Sequence, residues 1–162
     1  MNRKEKVGIS EFRTGRAPAV LVTYGLGSCL GITLYDPQRR LGGLAHTLLP
    51  LSRPDDQTRM TKYVDSAIRL MMEELLELGA EKTCLVAKIS GGANMFEPLH
   101  PSGIEGVGAR NARAARETLE RLGIPLLAED IGGNHGRTVE FDLATGELRV
   151  SSVCHPDANR TL

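Results

Sequence analysis

The chain contains no Trp, and its 162 residues include only three Tyr and three Phe. That is too few aromatics to stack bases along a nucleic-acid groove. It also lacks net charge: twenty basic residues balance twenty acidic ones, so no global field draws it to DNA, RNA or anionic lipid. Cysteine is scarce. Cys29, Cys84 and Cys154 form no CxxC pair and no even framework, which excludes a disulfide scaffold and a structural zinc site and leaves free thiols suited to a reducing cytoplasm. No apolar stretch follows the charged opening Met1-Asn2-Arg3-Lys4-Glu5-Lys6, so a secretory signal is not expected. One uncharged stretch, residues 17–35, approaches membrane-spanning length. Pro18, Gly25, Gly27 and Gly31 interrupt it, and Val, Ile and Thr are frequent between them; it reads as two buried strands around a glycine turn, not as a membrane insertion.

What is present is the pattern of one continuous domain over residues 1–153, without repeats or internal linkers, followed by a polar tail at 154–162 expected to be disordered. The first third is β-rich, with strands expected at 7–12, 19–24, 30–36 and 41–48. Met60, Tyr63, Val64, Ala67, Met71, Leu75 and Leu78 recur at helical spacing before Gly79, which predicts a helix over 56–78 with a glycine C-cap. A strand is expected at 83–90, with Cys84 packed inside it, then a glycine-containing loop over 91–106, a helix at 108–122 and a strand at 124–130. Val139, Phe141 and Leu143 alternate with polar residues, Ala144-Thr145-Gly146 turns, and Leu148 and Val150 alternate again, the pattern of a hairpin. Clustered strands with two intervening helices indicate an α+β fold of mixed sheets.

The chemistry-bearing run is Thr23-Tyr24-Gly25-Leu26-Gly27-Ser28-Cys29. Glycines ahead of a reactive Cys let the backbone turn sharply and aim N–H groups outward, where an oxyanion forms when a thiolate attacks a carbonyl. Gly27 and Ser28 are the loop and oxyanion candidates, and His46, in Gly43-Leu44-Ala45-His46, is the candidate general base and acid. The alternative is a plain one: most buried Cys are inert and most strand His are structural. Thr23 reads either as an ordinary β-former or as an acceptor that orients an imidazole. Arg110 and Asn111 near a helix start, and Asn134 after two glycines, sit where binding residues concentrate, and equally where caps and turns do. Cys154-His155 lacks a second ligand pair, so no metal is expected.

Six segments, Gly25-Leu26-Gly27-Ser28-Cys29, Gly43-Leu44-Ala45-His46, Lys62-Tyr63, Gly91-Gly92-Ala93-Asn94-Met95-Phe96, Gly108-Ala109-Arg110-Asn111 and Ala128-Glu129-Asp130-Ile131-Gly132-Gly133-Asn134, resemble in this order the chemoreceptor glutamine deamidase family, CheD. The resemblance implies a β-sandwich-like pair of mixed sheets flanked by helices, similar to the catalytic domain of Rho-deamidating toxins. It implies a cytoplasmic protein-glutamine glutaminase that converts glutamines of methyl-accepting chemoreceptors to glutamate in chemotaxis adaptation, with no cofactor. It assigns the triad to Cys29, His46 and Thr23. The expected mechanism begins with a thiolate–imidazolium pair whose stability lowers the thiol pKa, and passes through a glutamyl thioester. The resemblance also implies a CheC phosphatase as a regulatory partner in some organisms. Two other readings stay open, a receptor glutamyl methylesterase using the same thioester and a binding module for a CheC-type phosphatase. His135-Gly136 and the proline-rich 98–102 segment depart locally from the family pattern and are expected to tune access to the site.

Overall fold

Two five-stranded sheets stack face to face, and both helices lie on the outer face of one of them. The computed structural model describes residues 3–56, 59–95 and 105–162. One sheet runs in the order β1 (Arg3–Lys6), β3 (Ala19–Leu26), β8 (Arg137–Asp142), β9 (Leu148–Ser151), β10 (Arg160–Thr161). The other runs β2 (Glu11–Arg16), β5 (Leu41–Thr47), β4 (Leu30–Asp36), β6 (Val86–Gly91), β7 (Leu126–Ile131). Most pairings are antiparallel; β1 with β3 and β6 with β7 are parallel. The second parallel pair is possible because helix α2 (Val107–Leu122) lies in the connection between its strands. The expected α+β class, mixed sheets flanked by helices, is what the chain adopts.

The period-2 pattern sorts β4 and β5 onto two faces. Leu30, Ile32, Leu34, Leu41 and Ala45 face the helices, while Tyr35 and Leu44 join Leu21, Leu26, Val139 and Phe141 between the sheets. Because β4 and β5 are covered on both faces, all seven residues of each are buried, and their sequences carry almost no charge. Helix α1 (Val64–Glu77) presents Val64, Ala67, Ile68, Met71 and Leu75 to that sheet, all fully buried. Met71→Ala there would cost about 3 kcal/mol through lost burial and a residual cavity. Helix α2 buries Gly108, Ala112, Ala115 and Leu119, small residues that let it approach closely. A Cβ on Gly108 would run into the backbone carbonyls of Gly92 and Ala93, so only glycine seats the first turn of α2 against the exit of β6.

Four local expectations are corrected. Of the strand expected at 7–12 only residues 11–12 are strand, the start of β2; residues 7–10 link β1 to β2 through a turn in which Ser10 takes φ 62°. Helix α1 begins later than the spacing suggested, since Tyr63 is extended and bridges Leu49. Cys84 lies in a 3-10 turn, Lys82–Cys84, half-buried beside the Arg39 guanidinium and not packed in a strand. The C-terminal tail, expected to be disordered, forms a 3-10 turn at Pro156–Ala158 and then β10, which pairs with β9; Leu162 exchanges both backbone hydrogen bonds with Leu148. Backbone pairing holds it without apolar periodicity.

Candidate active site

The turn that carries Cys29, 27–29, joins β3 to β4, sheet to sheet, just past an irregularity in β3 between Thr23 and Leu26. Its three carbonyls are all bound. Gly27 O accepts from Ala93 N at 2.9 Å, Ser28 O from Asn111 Nδ2 at 2.9 Å and Cys29 O from Gly92 N at 2.9 Å. In a planar trans peptide the N–H points opposite to the preceding C=O. Tying the Gly27 and Ser28 carbonyls therefore turns the N–H groups of Ser28 and Cys29 the other way, and among the described residues neither donates to a backbone carbonyl. N–H groups turned this way beside a thiol are the donors that an oxyanion would call on. The close approach again needs glycine: Gly91 sits at φ 116°, and a Cβ there would strike the Cys29 carbonyl oxygen.

Cys29 is half-buried and packs against the inter-sheet cluster. His46, on β5, is opposite Gly31 on β4 and fully buried. It reaches across to the other sheet, where Nδ1 lies 2.8 Å from Thr23 Oγ1. Thr23 is also fully buried, and its hydroxyl donates to the Val7 carbonyl at 2.7 Å. A hydroxyl has one hydrogen. With that hydrogen committed to Val7, Thr23 accepts from His46, so Nδ1 carries the imidazole proton and Nε2 holds a free lone pair. Nε2 is buried and, among the described residues, has no hydrogen-bond partner, Cys29 Sγ included. An unsatisfied acceptor inside a protein is costly, and a free lone pair is what a base awaiting a proton requires.

Burial pushes the Cys29 thiol up; its own backbone N–H, which favours the thiolate, offsets only part of that. Burial pushes the His46 imidazole down. Both shifts favour the uncharged forms, thiol and neutral imidazole, and the upward thiol shift runs against the expected lowering of the thiol pKa: burial disfavours either charge.

Of the expected contact residues, Arg110 is exposed on α2 and Asn134 is exposed in the turn after β7. That turn is tied to the exit of β6 by Asn94 N donating to Gly133 O at 2.9 Å. Asn111 is not a surface contact. It is fully buried, and Nδ2 donates to Ser28 O and to Leu48 O, at 2.9 and 3.0 Å. His135 lies against the ring of His155, centroids 4.8 Å apart. Phe96 and the 98–102 segment fall outside the described residues. Sequence reasoning missed the backbone partners, Val7 O, Gly92 N and Ala93 N; no residue type announces a carbonyl or an N–H, although the Gly91-Gly92 pair marks where one chain must approach another. Exposed Tyr24 adjoins the turn in sequence, and half-exposed Met95 packs over Gly27.

The sequence profile of the family described as CheD chemotactic sensory transduction matches residues 48–152. The chain belongs to the CheD family. Its relatives extend the match across Cys29 and His46. A protein of Geobacter metallireducens named "Probable chemoreceptor glutamine deamidase CheD 2" is 54% identical over 158 residues, 96% of this chain and 98% of that one. A CheD of Geobacter sulfurreducens is 49% identical over the same shares, and one of the archaeon Pyrococcus abyssi 46% identical over 94% of each chain. Among solved structures, the Bacillus licheniformis hypothetical protein YfiH aligns with 80% of this chain and 59% of its own at 15% identity and a TM-score of 0.46, a likeness too distant to bear on function. Among the described residues, no helix is long and apolar enough to cross a membrane.

Proposed function

We propose that this CheD protein is a cytoplasmic chemoreceptor deamidase that hydrolyses glutamine side chains to glutamate through a thioester on Cys29, and so contributes to chemotaxis adaptation. The names of its relatives support the substrate. The observation that carries the mechanism is the chain from His46 Nδ1 through the Thr23 hydroxyl to the Val7 carbonyl, which supports a proton on Nδ1 and a lone pair on the buried Nε2.

His46 Nε2 takes the Sγ proton as sulfur adds to the amide carbonyl carbon. The carbonyl oxygen becomes an oxyanion and accepts from the N–H groups of Ser28 and Cys29; one such donor is worth about 3 kcal/mol in other oxyanion holes. The Nε2 proton passes to the amide nitrogen, the C–N bond breaks and ammonia leaves. Nε2 then takes a proton from water, whose oxygen adds to the thioester carbon. The C–S bond breaks, the thiolate recovers the proton, and glutamate is released. Thr23 bears the incipient imidazolium with a neutral hydroxyl and a backbone carbonyl behind it, an orienting role without a full charge.

The test is ammonia release from a purified chemoreceptor signalling domain, with peptide mass spectrometry to find the converted glutamines, for wild type, Cys29→Ala and His46→Ala. Release by wild type and loss in both variants is the expected result. A wild type that releases methanol from methylated receptor but no ammonia from amidated receptor would sink the deamidase reading in favour of a methylesterase.

A further inference from the structure

Asn111 lies in the first third of α2, yet the two groups its side chain binds belong to the two segments that carry the chemistry. Ser28 O immediately precedes the nucleophile, and Leu48 O is two residues beyond the base. Neither residue lies within a strand. We infer that Asn111 is a positioning residue for the reaction, aiming the Cys29 N–H at the oxyanion and fixing the separation of Cys29 from His46. The inference rests on the deamidase reading and names the part of the site that the triad does not supply.

The residue type follows from the geometry. Two carbonyl acceptors facing one buried side chain need two hydrogens from one atom, which a primary amide provides in a fixed plane. Because both neighbours are acceptors, it is Nδ2 and not Oδ1 that faces them; Oδ1 has no partner among the described residues. A carboxylate of the same shape would set two acceptors against a third. An apolar side chain would leave both carbonyls unsatisfied, free to rotate toward water. Rotation of the Ser28 carbonyl turns the Cys29 N–H with it, because the peptide is planar, and removes that donor from both the oxyanion and the adjacent sulfur.

The experiment uses full-length Asn111→Asp and Asn111→Ala, each checked for folding by circular dichroism. Two readouts are taken: kcat and KM for ammonia release from a receptor signalling domain, and the pH profile of Cys29 alkylation by iodoacetamide, followed peptide by peptide so that Cys84 and Cys154 do not interfere. The expected result is a kcat lower by about tenfold to a hundredfold with KM within about twofold, and an alkylation profile displaced to higher pH. Folded variants with wild-type kcat overturn the inference, as do variants that only melt earlier while their alkylation profile stays in place. If neither variant folds, the wild type decides by NMR: the Asn111 side-chain amide protons must exchange with solvent slowly and the Cys29 N–H rapidly, and the reverse overturns it. A wild type inactive on receptor amides whose Asn111 variants still shift the alkylation profile would refute the deamidase reading and leave the positioning role standing.

Discussion

Strand β4 begins one residue after Cys29 and ends, at Asp36, in a second polar cluster, and the two ends treat their buried polar groups in opposite ways. At the far end Tyr35 donates to Leu143 O at 2.7 Å, and Lys88 Nζ donates to Gly146 O and Leu162 O, both at 2.8 Å. Asp36 accepts from the N–H groups of Gln38, Arg39 and Glu81 and from the Arg39 guanidinium, at 3.0 to 3.2 Å. Burial by itself would raise that carboxyl; the donors from Glu81 and Arg39 outweigh it and hold the pKa below its usual value. At the near end His46 Nε2 and the Ser90 hydroxyl, also fully buried, have no partner among the described residues. A closed hydrogen-bond set stabilises a fold; an open one leaves a buried polar group available for chemistry at a cost in stability. The apolar cavity of about 180 Å³ lined by Thr33, Tyr35, Val86, Lys88 and Phe141 belongs to the far end and holds none of the site residues.

The contrast breaks most plainly at Cys29. Cys29→Ala should lower ammonia release by about ten-thousandfold or more while urea unfolding stays within about 0.5 kcal/mol of wild type. Asp36→Ala should do the reverse, losing about 3 kcal/mol in the same unfolding assay as three backbone N–H groups go unsatisfied, with kcat unchanged once folded. A fall in kcat without a fall in stability would show the two ends to be coupled. Thr23→Val tests how the near end is held: with no hydroxyl to accept from Nδ1–H, kcat should drop by about tenfold to a hundredfold, whereas Thr23→Ser keeps the acceptor and should stay within a few-fold of wild type in the same kinetic assay.

The smallest effect is on pH dependence. The folded His46 pKa is lowered, so as pH falls the unfolded chain binds a proton at this residue first. Its contribution to stability is therefore whole above the ordinary imidazole value of about 6.5 and declines below it, toward the lower folded pKa. Urea midpoints for wild type and His46→Gln at about pH 5 and about pH 7 should diverge at the lower pH, with the wild type losing more. The acid limb of kcat/KM for the free enzyme should fall below the same ordinary value, since Nε2 stays a base to lower pH.

Much of the fold was legible wherever one local rule acted alone. The β8–β9 hairpin follows from the alternation of Val139 and Phe141 with polar residues, answered by Leu148 and Val150 across Gly146. The body of α1 follows from Val64, Ala67, Met71 and Leu75. Legibility failed where a neighbour overrode the local pattern: Tyr63 has helical spacing but is drawn into a bridge with Leu49, and the polar tail becomes a strand because β9 offers it an unpaired edge. Among site residues, Cys29 and His46 could be named from type and context. Asn111 looked like a surface contact because a polar residue near a helix start usually is one; that it turns inward depends on Gly108 letting α2 settle onto the β6 exit.

The sequence by itself determined the inventory: a thiol after a glycine turn, an imidazole on a buried strand, the absence of charge or aromatic stripes for other partners, and membership of a family. The tertiary structure alone decided how that inventory is wired. Thr23, His46 and the Val7 carbonyl lie on different strands or turns of two sheets, and only their packing puts Oγ1 2.7 Å from one and 2.8 Å from the other. That packing determines which imidazole nitrogen carries the proton. The physical reason is that a side chain's protonation and aim follow from the partners it meets in space, and hydrogen-bond partners brought together by sheet stacking leave no spacing in the chain to read.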